Sequence, residues 1–370
     1  MKKVLIFPLL NSMPSGHHQV AEAMSEFIRD HTGEVQCKKV DLLSEWNAKV
    51  ESVTVKAYLN WIRRAPNSYA WIYRQFAYKS SKEKSHKTYE WLFMKKVSEI
   101  LEREKPDLII CTHGFPSIFI NKLKKQGKCK VPCLNVYTDF FVNDVWGREC
   151  IEYHFAPNEA IKGALCQRYG IPENRIFVTG IPVSEKFSRQ EERHSTKRLT
   201  VLVSGGSTGL SEVLNQLDEE VNEEKWNFQV LCGTNKKLQQ KITALNHPAI
   251  HAIPYISSKE MMNELYSKAD ALVTKPGGVT VSEALRKELP IFIPAALPGQ
   301  EEINLAYLLE EKLVFAVPEG RRLMDFLDET LADEEAIGRF QKRIKAYKNS
   351  LSLKNSDEIY MELEKILVGN

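Results

Sequence analysis

The sequence predicts an α/β protein of two Rossmann-like halves, and three observations carry that reading. Short apolar runs alternate with amphipathic stretches along the chain. The alternation restarts after residue 195. The segment at the restart, SRQEERHSTKR (188–198), is polar and charged, as a linker should be. Continuous apolar strands separated by helices belong to parallel sheets covered on both faces. A length of 370 residues suits two domains at about 150 residues each.

In the first half, VLIF (4–7) reads as a buried strand and HQVAEAMSEFIRD (18–30) as a helix. The opening MKKVLIFPLL imitates a signal peptide, but no small-residue cleavage site follows it, so the buried strand is preferred. VQCKKVDLL (35–43), LIICT (108–112) and CLNVYT (133–138) are the next strand candidates. In the second half the strands are LTVLVSGG (199–206), NFQVLCG (227–233), AIHAIPYI (249–256), ALVTKPGG (271–278), LPIFIPA (289–295) and VFAV (314–317). Residues 333–367 read as two helices. The expected domains are 1–187 and 188–351, with a last helix at about 352–370 crossing back to join the first.

Composition excludes several classes. Hydrophobic residues make up 43% and charged residues 27%, ordinary values for a soluble globular chain. Fifty-one Lys and Arg against 48 Asp and Glu give a formal charge of only +3, so bulk charge does not predict nucleic-acid binding. The seven cysteines form no CxxC and no zinc spacing, and are expected to be reduced cytosolic thiols. No run of 18 predominantly apolar residues offers a membrane span.

Three segments carry chemistry. In NSMPSGHHQVAEAM (11–24) a loop with Gly16 leads into a helix, whose N-terminus presents free N–H groups. His17 and His18 stand at that junction, at the carboxyl edge of a parallel strand where such folds place ligands. Imidazole suits general-base work there, and a loop histidine or helix cap is the plain alternative. VSGGSTG (203–209), with Ser204 and Gly205, resembles a phosphate-cradling turn but lacks a Walker lysine. The strongest segment is VTKPGGVTVSEALRKELPIFIPAALPGQEEIN (273–304). Lys275, Gly277 and Gly278 close a strand and open a helix toward an anionic diphosphate, with Thr280 near its start. Glu283, one turn in, can accept two ribose hydroxyls. Gln300, Glu301 and Asn304 could read sugar hydroxyls. No Asp-x-Asp occurs, so a metal-bridged diphosphate is not indicated.

Between Lys56 and Lys96, ten Lys and Arg face only Glu83 and Glu90, a formal charge of +8, with ten aromatics interleaved. Trp61, Arg63, Arg64, Trp71 and Arg74 lie in this stretch. It suits an anionic membrane interface. A nucleic-acid surface uses similar residues, and a solvated basic face over core aromatics is the third alternative.

Taken together, KPGGVTVSEAL, PGQEEIN, SGHHQVAEAM, NVYTDF (135–140) and VTGIPV (178–183) resemble glycosyltransferase family 28, closest to the bacterial diacylglycerol glucosyltransferases. The resemblance covers nearly the whole chain in order. It implies a GT-B fold, two Rossmann-like domains facing a cleft. It also implies inverting, metal-independent transfer from a UDP-sugar to a lipid; with the basic aromatic stretch, a peripheral position at an anionic surface, on the cytoplasmic inner face of the membrane, is expected. Carried over residue by residue, His17 is the base or a positioning group. Glu283 binds ribose, and Gly277, Gly278 and Thr280 face phosphates. Gln300 and Glu301 face the donor sugar, while Gly233 and Ile256 are weaker matches near the uracil. One departure stands out: TDFFVNDVW (138–146) has Asn143 where the related glucosyltransferases carry a histidine, leaving Asp139 and Asp144 as the nearby carboxylates. A UDP-sugar epimerase and a non-catalytic UDP-sugar sensor are the rival readings; nucleic acid is not expected as a partner.

Overall fold

The computed structural model describes residues 1–9, 15–42, 44–45, 68, 87–187, 198–206, 210, 217 and 221–369. The chain divides into two compact units. The first comprises Met1–Val183, Pro298–Gln300 and Asn349–Asn370; the second comprises Ser184–Leu297 and Glu301–Lys348. The polar segment 188–197 lies outside the described residues.

The first unit is a six-stranded parallel sheet in the order β2-β1-β3-β4-β5-β6. Its strands are β1 (Lys2–Phe7), β2 (Val35–Lys39), β3 (Leu108–Cys111), β4 (Cys133–Val136), β5 (Tyr153–Ala156) and β6 (Ile176–Val178). Val4 to Phe7 are fully buried, as expected for the central strand of a sheet covered on both faces. The second predicted strand stops at Lys39, four residues short of its expected end.

Helix α1 (Gly16–His31) buries Val20, Ala21, Ala23, Met24, Phe27 and Ile28. That spacing of three and four residues forms one apolar face against the sheet. Helices α2 (Lys87–Glu104), α3 (Gly114–Lys125) and α4 (Glu159–Tyr169) complete the crossovers. Between α2 and α3, Phe93 meets Phe115 edge-on at 5.1 Å and stacks with Phe119 at 5.4 Å.

The second unit repeats the plan, in the order β12-β11-β10-β7-β8-β9. Its strands are β7 (Leu199–Ser204), β8 (Trp226–Leu231), β9 (Ile250–Ile253), β10 (Ala271–Thr274), β11 (Ile291–Ile293) and β12 (Phe315–Ala316), again all parallel. The helices are α5 (Lys236–Leu245), α6 (Lys259–Lys268), α7 (Gly278–Arg286), α8 (Gln300–Glu310), α9 (Leu323–Ala332) and α10 (Glu334–Ser350).

The last helix, α11 (Ser356–Val368), belongs to the first unit and packs on α1 through Ile359, Leu363, Ile366 and Leu367. Tyr360 stacks on His31 at 4.6 Å, and His31 Nε2 lies 2.9 Å from the Asp357 carboxylate. The entry to α11 is pinned to β6: Ser352 Oγ accepts from the Val178 amide at 2.7 Å.

Candidate functional site

Each strand order contains a switch point. In the first unit the chain leaves β1 on one side to reach β2, then crosses to β3 on the other, so the loops after β1 and β3 part at the carboxyl edge. Such crevices are where open α/β sheets bind ligands. Register places the relevant strand ends in one row: Phe7 pairs with Cys111, and Cys111 with Asn135. Gly16 and His17 open α1, Thr112 and His113 follow β3, and Thr138 and Asp139 follow β4.

These residues meet around the His17 ring. Nδ1 lies 3.1 Å from the Thr112 carbonyl and 2.8 Å from Thr138 Oγ1, while Thr112 Oγ1 donates to the His17 carbonyl at 2.9 Å. A carbonyl can only accept, so Nδ1 carries the proton and Nε2 keeps its lone pair. That is the tautomer a general base needs. His113 stands edge-on to His17, with ring centroids 4.6 Å apart, and its Nδ1 accepts from the Phe115 amide to cap α3. His18 Nδ1 is 3.1 Å from Ser15 Oγ.

Burial holds the His17 imidazole below its ordinary range, with the Asp139 carboxylate and the Thr112 carbonyl acting against it. Burial pushes His113 down further, helped by repulsion from His17 and His18. Both rings are therefore neutral at pH 7. Gln300, which falls in the first unit, donates from Nε2 to the Asp139 carboxylate at 2.7 Å.

The loop carrying Thr138 and Asp139 is braced from below. Asn135 Nδ2 and Ser117 Oγ both reach the Gly147 carbonyl, at 2.7 and 3.1 Å. Asn143 Oδ1 accepts from the Val145 amide at 3.2 Å, an Asx turn. Asp144 accepts from the Tyr169 hydroxyl at 2.6 Å and faces Arg148 and Arg168 at 3.5 and 3.3 Å. Asp144 is thus a structural anchor, while Asp139 is the carboxylate nearest in sequence to His17's partner Thr138.

In the second unit the switch point lies between β7 and β10. Ser204 pairs with Thr274 and with Leu231, and Leu231 with Ile253. The segments bearing Gly205, Gly233, Ile256 and Lys275 therefore leave one edge of the sheet. Gly206 and Gly233 have φ of +67° and +55°, which glycine adopts without the Cβ penalty of other residues. Gly277 is the N-cap of α7, and a Cβ built there would meet nothing within 4 Å. Gly278 and Thr280 follow in the first turn. That end of α7 is open space lined by amide N–H groups, suited to an anion.

Glu283 is 7% exposed and accepts from the Tyr266 hydroxyl at 3.0 Å. Burial pushes its carboxyl up to about 7, against the Tyr266 hydrogen bond and the field of Lys259. Glu301 Oε2 accepts from the Leu297 amide at 2.7 Å, so one of its oxygens ties down its own loop.

Trp61, Arg63, Arg64, Trp71 and Arg74 lie outside the described residues. The described end of that basic segment forms α2, where Trp91 is 60% exposed with Lys95 Nζ 5.7 Å from its ring. No helix among the described residues is long and apolar enough to cross a membrane. Among the described residues no cluster of three or more His, Cys, Asp or Glu could hold a metal ion. Thr112, His113 and Tyr266 carried no flag in the sequence, although a Thr-His pair directly after the buried run LIIC was a usable signal.

Comparison with known proteins decides the family. Residues 17–183 match the family described as monogalactosyldiacylglycerol (MGDG) synthase, and residues 200–344 match the glycosyltransferase family 28 C-terminal domain. An uncharacterized glycosyltransferase of Bacillus subtilis, YkoN, is 39% identical over 95% of this chain and 94% of its own. The chain belongs to glycosyltransferase family 28. It is similar also to the processive diacylglycerol beta-glucosyltransferase of the same organism, at 26% identity over 98% of this chain and 94% of that one. Among solved structures, Acinetobacter baumannii MurG shares the fold, with a TM-score of 0.61 at 14% identity, covering 99% of this chain and all of that one. This family 28 enzyme is thus a glycosyltransferase with two parallel six-stranded α/β units.

The buried imidazoles give the family 28 chain a pH signature. His154, under Tyr137, is pushed down to about 3 by burial. An imidazole with a depressed folded pKa gains its proton first in the unfolded chain. Its contribution to stability is full above about pH 6.5 and is lost as pH falls toward the folded value. At pH 5 His154 is expected to cost about 2 kcal/mol. Urea midpoints at pH 7.5 and pH 5 should show the drop, and His154→Asn should reduce it. An unchanged midpoint would mean that these rings are not held neutral.

Proposed function

We propose that this enzyme transfers a hexose, glucose first, from a UDP-sugar to the hydroxyl of a lipid such as diacylglycerol, with inversion at the anomeric carbon. The observation that carries the reading is the His17 arrangement. It is a neutral imidazole at a switch point, with Nδ1 committed to a carbonyl and Nε2 free to take a proton. The first unit supplies this base to the acceptor hydroxyl. The second unit holds the nucleotide, with Ser204, Gly205, Gly277, Gly278 and Thr280 around the diphosphate and Glu283 on the ribose. Gly233 and Ile256 border the base, Gln300 and Glu301 the sugar.

The departing diphosphate needs charge stabilisation, and the N–H groups and dipole at the start of α7, with Lys275, are suited to supply it without a metal. The field of the Asp139 carboxylate favours the imidazole as it becomes cationic. The relatives named for diacylglycerol and the exposed Trp91 with Lys95 support a lipid acceptor met at an anionic membrane surface. The enzyme then works as a peripheral protein on the inner face of the cell membrane.

The test is UDP release from a panel of UDP-sugars, with and without diacylglycerol in anionic liposomes. Lipid-dependent release from one sugar, with a glycolipid product, is the expected result. Release without acceptor would favour an epimerase-like or hydrolytic reaction. Binding without release on any lipid would leave a sensor.

A further inference from the structure

Two buried glutamates of this chain are treated in opposite ways. Glu104 is surrounded by Lys3, Lys38 and Arg103, all at 2.7 Å, and these cations hold its carboxyl down at about 2. Glu283 is as deeply buried, yet no cation lies within ion-pair distance of it among the described residues. Its sole hydrogen-bond donor there is the Tyr266 hydroxyl, on Oε2. A buried carboxylate without a partner is costly, and the group escapes the cost by keeping its proton.

The charges around Glu283 are few. From α6 come the Tyr266 hydroxyl and the field of Lys259. From the turn at Glu185–Phe187, Glu185 is taken by Arg286, and Phe187 packs edge-on against Tyr266 at 5.6 Å. At the C-cap of α7, Lys287 Nζ is turned to Ser267 Oγ at 2.9 Å. None of these neutralises the carboxyl. Tyr266 is itself fixed: it is 1% exposed and sealed in the core, so its hydroxyl has a set direction.

With Oε2 already accepting from Tyr266, a proton on the carboxyl sits on Oε1. That is also the oxygen left for a ligand hydroxyl. Proton and ligand therefore compete for one place. We propose that Tyr266 is the positioning residue of the nucleotide site and that Glu283, stored as the acid, gives up its proton when the two ribose hydroxyls of UDP reach it. This rests on the reading that the second unit holds UDP. The balance is simple: the protonated fraction of the free protein carries the carboxylic acid, about half of the molecules at pH 7. The complex carries the carboxylate with three O–H donors, two from ribose and one from Tyr266, and the proton passes to the buffer. Three donors to one carboxylate favour its charged form.

The experiment is calorimetric titration of the full chain with UDP in buffers of different ionisation enthalpy, with Glu283→Gln as the background for UDP's own protonation. With the carboxyl near 7, roughly half a proton leaves per UDP at pH 7 and almost none at pH 8.5. Affinity is expected to be about tenfold higher at pH 8.5 than at pH 6. Tyr266→Phe removes the hydroxyl donor, so it should shift proton release to higher pH and weaken binding most at pH 6. Should Glu283→Gln fail to bind, the wild-type pH profile and Tyr266→Phe still decide. Binding with no buffer-dependent heat and equal affinity at both pH values overturns the proton release. A Tyr266→Phe profile identical to wild type overturns the positioning role. No UDP binding at any pH overturns the nucleotide reading itself.

Discussion

His17→Ala is expected to lower sugar transfer by about 10²–10⁴-fold while leaving UDP affinity unchanged. The size of the effect follows from the proton inventory at the ring. Nδ1 is spoken for by the Thr112 carbonyl and Thr138 Oγ1, so the whole basicity of the imidazole is presented at Nε2. Alanine removes the only group in that cluster that is both neutral and basic at pH 7 with a free ring nitrogen assigned by a carbonyl. His113 cannot replace it, since its own Nδ1 is engaged in capping α3 and its burial disfavours a charge more strongly. UDP affinity is the internal control, because the proposed nucleotide residues belong to the second unit. Single-turnover rates with bound donor would separate the two quantities. Full turnover in His17→Ala would end the base assignment.

Gly147→Ala is expected to disrupt the first unit strongly. A Cβ at this position would stand 2.5 Å from the Ser117 carbonyl oxygen, 2.9 Å from its carbon and 2.5 Å from Asn121 Cβ. Two of these atoms are backbone of α3, so the conflict cannot be relieved by a side-chain rotation. Overpacking of this kind typically costs about 1–3 kcal/mol, occasionally more. Here the loop must also shift, and its carbonyl would leave the buried Asn135 Nδ2 without its acceptor, while Ser117 Oγ keeps Asn135 Oδ1 at 2.8 Å. That orphaned donor adds about 1–3 kcal/mol. The segment from Thr138 to Arg148 hangs on that carbonyl, so activity should fall together with the urea midpoint. A variant with wild-type stability would show that α3 and the loop are free to part.

How much of this was legible beforehand differs from residue to residue. The central strands were plain, because Val4–Phe7, Leu108–Cys111 and Ala271–Thr274 are apolar on both faces and end in polar turns. β5 and β6 gave no usable pattern: they are four and three residues long, and Tyr153 and His154 break the apolar run. Those strands exist because β4 is already there to pair with β5, and β5 with β6.

The glycines of KPGGVTVSEAL were readable as a strand-to-helix turn, and the helix does begin at Gly278. The state of Glu283 was not, since Tyr266 lies 17 residues earlier on another helix. Asn143 looked like the loss of a functional histidine, and its Asx turn with Val145 shows what the amide does there instead.

Sequence alone determined the parallel α/β class, the two halves, the family and the position of His17 at a strand-to-helix junction. These are encoded locally, in the period of apolar residues and in the small residues that a tight turn requires. Tertiary structure alone decided the protonation chemistry. The Thr112 carbonyl that assigns the His17 tautomer arrives from 95 residues away, and the hydroxyl that steers Glu283 arrives from a neighbouring helix. Tautomer and pKa depend on which dipoles and how much water surround a group, and these are set only when distant segments pack together.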